Sequence, residues 1–455
     1  MKVLNVGKSF LSGFVVTFFS TCQLSCNKNT NIENRIRNEV NNIRMIDTHE
    51  HLASEEEMLN RKSGKAFDFS HLFEVYIYDD LCSTGYSKKI QKIVQDKTIP
   101  IIERWKLIEP FWNNAENTSY ARMIRIVVKD LFDIDSISVS TVEELSKRIN
   151  DAYKPGWYRN VLKEKSKIDL SILDFGHIKR DNEYYNHVER FDNFVLVYSA
   201  SQIRKLCTGY NIEAKSLADF EASLRKAFAA GVNYGIVAVK NGMAYQRTLV
   251  YENTDREEAN LIFKKMFKTG QSLSFDEVKP LQDYMWHQIV KLADEYNLPI
   301  QIHTGLQAWG ENEIRNSQPT LLTNLFNLYP NVKFIIFHGS YPYGGELSVL
   351  AKNYPNVYID LCWTYLISPS YSERFLYEWL ETVPASKIMG FGGDHINVEG
   401  IYAHSFIARE VVSKVLTKKV LEGHMSEYQA IKVAKMLLRN NAIHILKLNC
   451  TPLPL

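Results

Sequence analysis

The chain has 455 residues, with 54 Lys+Arg against 52 Asp+Glu, 45% hydrophobic residues and 12% aromatics. That apolar share and a net charge of +2 describe a globular protein with a large core and exclude disorder over the whole length. The near-neutral charge offers no attractive field for nucleic acid, and 21 Gly with 13 Pro exclude a collagen-like fibre.

The N-terminus departs from this picture. Lys2 and Lys8 accompany an apolar run from Phe10 to Phe19, broken by Ser12, Gly13 and Thr17. The run is shorter than the roughly 20 apolar residues a membrane span needs. A charged segment followed by a short apolar one reads as a secretory signal. Leu24-Ser25-Cys26 resembles the end of a lipoprotein signal, although Gln23 stands where a leucine is usual. Residues 1–30 are therefore expected to be a signal peptide, with a lipid tether at Cys26 and export to a periplasm or membrane surface. An uncleaved anchor or a buried helix is the alternative. Cys22 and Cys26 belong to this region. Cys82, Cys207, Cys362 and Cys450 are widely spaced, form no CxxC pair and read as small buried residues.

Eight short strand candidates follow: Ile43–Asp47, Ile168–Phe175, Phe194–Ala200, Tyr234–Lys240, Pro299–His303, Val332–His338, Val357–Leu361 and Lys387–Phe391. Most are continuous apolar runs, as expected of parallel strands covered on both faces. Helical patterns separate many of them. Ser216 to Ala230 opens with a cap, carries Phe220, Leu224, Ala227 and Phe228 on one stripe, and meets Gly231. Leu281, Met285, Ile289 and Leu292 mark another stripe. Pro319 suits the first turn of a helix bearing Leu322, Leu325 and Phe326, and Tyr371 to Glu381 fills the gap before the last strand. The expected fold is a (β/α)8 TIM-like barrel, with a doubly wound open sheet as runner-up. No Gly-rich phosphate loop follows an early strand, which counts against the open sheet.

Two additions to the barrel are expected. A helical insert, residues 52–166, follows the first strand and is far longer than an ordinary connection. Arg122 to Phe132 is periodic there, and Thr141 with Glu144 has capping-box spacing. The insert starts on the face where such barrels carry active sites, so it is a candidate lid or wall. Extra helices fill the C-terminal section from about His404, where Ser426 and Gln429 again have capping-box spacing. Residues 31–455 then form one elaborated domain.

Of the twelve histidines, the informative ones punctuate strand ends. His49 and His51 end the first run and point to one side of an extended chain, where they can share a metal ion. Gln301-Ile302-His303, Phe337-His338-Gly339 and Gly393-Asp394-His395 end the fifth, sixth and eighth. Each run delivers a ligand type at its C-terminal end, the catalytic rim of a barrel. Imidazole and carboxylate suit zinc, with iron, manganese or nickel as alternatives.

This arrangement resembles the amidohydrolase superfamily. The stretches QIHTGLQAWG, SQPTLLTNLFNLYPNVKFIIFHGSYPYGGE, YPNVYIDLCW and RNNAIHIL look most like the branch that includes amino-carboxymuconate-semialdehyde decarboxylase, with uronate isomerase as a more distant relative. The resemblance implies one divalent metal, zinc first, held by His49, His51, His303 and Asp394. It implies that Asp394 moves a proton and that His338 polarises the substrate or acts as acid/base. A second metal on His303 and His338 is the other version. Lys240, ending the fourth run, is then a carboxylated bridge between two metals, a partner for a substrate anion, or a structural lysine. Trp309, Gln307, Arg247 and Tyr245 are candidate pocket residues, with packing or a surface loop as the competing reading. His395 is expected to support Asp394, Glu346 to cap a helix, and Trp286 and Trp379 to lie in the core.

The implied function is a metal-dependent hydrolase cleaving a C–N or C–O bond of a small polar substrate. A decarboxylase or uronate-isomerase-like enzyme on a small carboxylic acid is the first alternative, and a non-catalytic envelope binding protein the second. The composition is compatible with an oligomer.

Overall fold

The computed structural model describes residues 29–64, 66–174, 183–310 and 312–455. The expected signal and the Cys26 tether lie outside the described residues. Among the described residues no helix is long and apolar enough to cross a membrane.

Eight parallel strands form one sheet in chain order: β1 Met45–Glu50, β2 Ile168–Asp174, β3 Tyr185–Arg190, β4 Ala238–Asn241, β5 Ile300–Ile302, β6 Phe334–Ile336, β7 Val357–Asp360 and β8 Ile388–Met389. Each pairs with the next in parallel register. Backbone bonds from Thr48 N to Phe391 O (3.1 Å) and from Asp394 N to His49 O (2.8 Å) draw the segment after β8 back onto β1. The expected (β/α)8 barrel is what the chain forms. Strands β4 to β8 are fully or almost fully buried, which is why their sequences read as unbroken apolar runs.

Seven of the eight expected strands are found, several shortened by a residue or more. The third is not. Phe194 and Val195 lie in the short helix Asp192–Val195, and Ala200 opens the helix Ala200–Gly209. Ser199 and Gln202 form a capping box there, a helix-start signal that outweighs the apolar run before it. The true β3, Tyr-Asn-His-Val-Glu-Arg, has four polar residues in six and so offers no apolar run.

Local signals set the other helices. Ser216 and Asp219 cap Leu217–Tyr234 reciprocally, and Gly235 ends it in the left-handed region at φ 96°, four residues beyond the expected stop. Ser274 and Glu277 cap Phe275–Glu295, and Ser426 and Gln429 cap Glu427–Lys435. Thr141 precedes Val142–Ala152 without a side-chain capping bond; its hydroxyl bonds the Ser136 carbonyl oxygen instead (2.7 Å). Trp286 and Trp379 are fully buried, as expected.

Every regular element described between β1 and β2 is helical. Its helix Ser119–Phe132 buries Tyr120, Met123, Ile124, Val127 and Val128, and it packs against the long helix Val398–Leu421 that follows β8. The insert is thereby fixed to the element just after Asp394.

Candidate metal centre

The C-terminal ends of the strands surround a cavity of about 810 Å³. His49, His51, Lys240, His303 and Asp394 line its floor, together with Asp174 and Arg190. His51 Nε2 lies 3.1 Å and His49 Nε2 3.4 Å from Asp394 Oδ1, and His49 Nε2 is 3.7 Å from Asp174 Oδ2. Ligand atoms of His49, His51 and Asp174 fall within 4.8 Å of one another, as do those of His338, Cys362 and Asp394. Both sets mix imidazole with carboxylate, which fits a divalent transition metal.

His303 stands apart from the first set. Its Nδ1 lies 2.9 Å from His338 Nε2. Its own Nε2 is 3.0 Å from the Leu306 carbonyl oxygen, and His338 Nδ1 is 3.1 Å from that of Cys362. A carbonyl oxygen only accepts, so those two nitrogens carry the ring hydrogens. In neutral rings the facing nitrogens then both bear lone pairs, and two lone pairs at this distance repel. Burial holds His338 down at about 4 and His303 well below the ordinary imidazole value, so neither ring gains a second proton near neutrality. A divalent cation held by both rings would remove the conflict.

Lys240 Nζ donates to His49 Nε2 at 3.1 Å and sits 4.1 Å over the Phe337 ring. It is buried, which lowers its pKa. His49 Nδ1 is buried with no hydrogen-bond partner among the described residues. Asp394 is held well below the usual carboxylate range; burial opposes this, but the hydrogen bond from His51 and the fields of His49 and His338 prevail.

Three further residues complete the floor. Asp174 ends β2, and Arg190 ends β3. Arg190 Nε lies 2.9 Å from both Asp174 oxygens; against the cost of burial its charge holds Asp174 ionised. Glu189, also on the wall, is raised to about 7 by burial and by the Asp174 charge. The insert contributes Tyr76, whose hydroxyl donates to the Asp394 carbonyl oxygen and whose ring stacks on Trp363 at 4.7 Å.

Asp174, Glu189, Arg190, Tyr76 and Trp363 are not among the expected site residues, and Cys362 is expected only as a small buried residue. Asp174 carried the same strand-end signal as the histidines. Arg190 and Glu189 were hidden by the misplaced third strand. Of the expected pocket residues, Trp309 and Tyr245 line the cavity. Arg247 does not: it is buried behind the wall, paired with Asp283 at 2.5 Å and with Gln282 at 3.1 Å, because the chain turns into a short helix at Met243–Tyr245. Gln307 is likewise buried and donates to the Ala244 carbonyl oxygen. His395 packs beneath Tyr76, and Glu346 lies in the first turn of Gly344–Asn353.

The backbone around the site is unusual. His338, Ser340, Trp363 and Asp394 have φ of 63°, 51°, 61° and 61°, a region costly for residues with a side chain. Gly393 is required where it stands, since a Cβ there would lie 1.8 Å from Glu50 Oε1, a buried group. Gly393→Ala should therefore destabilise the protein by about 3 kcal/mol or more, the upper range for overpacking. Denaturant unfolding of the two proteins measures this, and an alanine variant of wild-type stability would contradict the packing described.

Residues 238–427, which include Lys240, His303, His338 and Asp394, match the amidohydrolase family model. Protein fluG of Emericella nidulans is 31% identical over 229 residues, 48% of this chain and 26% of its own length, so the chain spans about a quarter of that relative. Uronate isomerase of Thermotoga maritima is 21% identical over 433 residues, covering 88% of this chain and 94% of that one. The crystal structure of the Thermotoga maritima enzyme superimposes with a TM-score of 0.74 over 91% of this chain and 97% of its own, at 18% identity. Glucuronate isomerase of Caulobacter crescentus gives 0.74 over 93% and 95%, at 19% identity. The family match thus falls on the part of the barrel that carries Lys240, His303, His338 and Asp394, and the two solved isomerase structures share the fold over more than nine-tenths of the chain.

Proposed function

We propose that the protein is a metal-dependent isomerase of a small sugar acid, interconverting the aldose and ketose forms of a hexuronate. One observation carries this over the hydrolase reading. The likeness to uronate isomerases runs through 88% of the chain and 94% of theirs, insert included, whereas the amidohydrolase match stops at the barrel half.

The donor set described above fits one divalent ion per chain, with zinc as the first expectation. His49, His51, Asp394 and the facing nitrogens of His303 and His338 would hold it, with Asp174 close by. Such an ion polarises carbonyl and hydroxyl oxygens of a bound sugar acid. The chain's own residues supply the rest. Arg190 and Lys240 are the cationic groups on the cavity floor, and each suits a substrate carboxylate. Isomerisation takes the hydrogen from C2 and returns one to C1, so a group that accepts and then releases a proton must face both carbons. Asp394 and Glu189 are the carboxylates placed to do this. Tyr76 of the insert and Trp363 after β7 form a stacked aromatic wall of the cavity.

Incubation of metal-loaded protein with glucuronate or galacturonate in D2O should give the ketose with deuterium exchange at the transferred position, read by NMR. Hydrolysis of an amide or ester with no change in either uronate would replace this reading with the hydrolase one. The hydrolase reading has a specific support in Lys240, whose place beside His49 would also suit a carboxylated bridge between two ions. Two equivalents of metal per chain would favour it.

Export and lipid attachment at Cys26 remain part of the proposal, resting on residues 1–30 alone. Labelling with a fatty acid analogue, lost in Cys26→Ser, tests it.

A further inference from the structure

The cavity is large for a single sugar acid and its two ends differ. Its volume of about 810 Å³ stands near the top of the roughly 300–1,000 Å³ range of ligand pockets. The floor is polar and charged, whereas Val75, Ala308, Trp309 and Ile396 give the mouth an apolar side, beside the exposed Gln246. Trp309 is 68% exposed and Ile396 36%.

Single exposed apolar residues are ordinary on protein surfaces. Trp309 differs because its backbone is tied to the insert. Its backbone is in the left-handed region at φ 70°, and its N–H donates to Asp79 Oδ2 of the insert at 3.0 Å. The preceding N–H, of Ala308, donates to the Tyr245 hydroxyl at 3.2 Å. Rings then run from floor to mouth: His303 to Tyr245 at 4.7 Å, and Tyr245 to Trp309 at 6.4 Å. A sugar acid seated on the floor leaves the indole unused.

We infer that Trp309 is a platform for a second, neutral sugar ring, so that the substrate is a hexuronate carrying a glycosyl group rather than the free acid. This rests on the isomerase reading. Aldose–ketose conversion needs C1 and C2 free, and the floor cations take the carboxylate at C6, so the extension leaves through one of the remaining hydroxyl oxygens, for which an O4-linked sugar is the probe. The reaction moves the C2 hydrogen to C1 and the O2 proton to O1. The glycosidic bond is untouched and no co-reactant is required. The Asp79 carboxylate, bonded to the Trp309 backbone N–H, disfavours an acidic second ring at this end of the cavity.

The test compares kcat/KM for glucuronate and for 4-O-glucosyl-glucuronate in the metal-loaded enzyme, Trp309→Ala and Trp309→Phe. The wild type should prefer the disaccharide roughly five- to ten-fold, the scale of one ring contact, through KM rather than kcat. Alanine should erase the preference and phenylalanine keep most of it. No preference in the wild type, or one retained by the alanine variant, overturns the inference. Calorimetric binding of the same two sugars separates it from the isomerase reading. Tighter disaccharide binding that is lost in Trp309→Ala, with neither sugar converted, keeps the platform and rejects the isomerase. Equal binding of both sugars rejects the platform.

Discussion

Asp394→Asn should lower turnover by about 10³ and leave the fold intact. The fold survives because both backbone contacts of this residue persist: its N–H bonds the His49 carbonyl, and its own carbonyl accepts from Tyr76. The side chain is what changes. Asp394 is the carboxylate shared by His49 and His51, and the amide is uncharged and a poor metal ligand. A bound metal supplies several kcal/mol of transition-state stabilisation, and each 1.36 kcal/mol is a factor of ten, which gives the three decades. Metal affinity should fall by more than the 10–100-fold typical of outer partners. Metal analysis after dialysis and steady-state rates measure the two effects. Circular dichroism checks the fold. A variant that keeps its metal and turns over within tenfold of wild type would remove Asp394 from the centre.

The centre was legible in the sequence wherever a buried apolar strand ended in a polar residue. His303 and His338 follow β5 and β6, whose every residue is buried, so their polarity stood out. Arg190 was not legible on this rule. Its strand carries Asn186 and Glu189, which are not fully buried, and the contrast at its end disappears. Tyr76 was beyond the rule altogether, because it reaches Asp394 from an insert whose placement depends on tertiary packing. The pairing of His303 with His338 depends on two ring tautomers, each set by a backbone carbonyl of another loop. No spacing in the sequence encodes those contacts. Arg247 shows the opposite failure: it follows β4 closely, but the next turn carries its side chain away from the cavity to Asp283.

Stability should fall between about pH 6.5 and pH 9, and fall less than half as far in Glu399→Gln. The cause is a buried cluster joining the insert to the barrel. His71 of the insert lies 2.8 Å from the Tyr153 hydroxyl and 3.8 Å from Glu399 Oε2. Glu399 also accepts from Tyr153 (3.0 Å) and from Trp157 Nε1 (2.9 Å). It is the second residue of Val398–Leu421 and fully buried. Burial opposes a charged His71, but Glu399 and Glu74 raise it to about 9. A histidine pKa above its unfolded value of about 6.5 contributes fully below pH 6.5, and the contribution is lost as pH rises through 9. At 1.36 kcal/mol per unit the shift is worth about 3 kcal/mol. Glu399 is lowered, burial again opposing and His71 prevailing, so its share is lost instead as pH falls below the ordinary glutamate range. Glutamine keeps the shape and removes the charge, leaving His71 buried without its main counter-ion. Unfolding free energies from denaturant titrations at pH 6.5 and 9 should differ by about 3 kcal/mol in the wild type and by less than half that in the variant. Equal values at the two pH values in the wild type would show that His71 is neutral in the folded protein. The same loss reaches the centre, because Tyr76, five residues beyond His71, is the insert's contact with Asp394; above pH 9 proteolysis should cut the insert before the barrel.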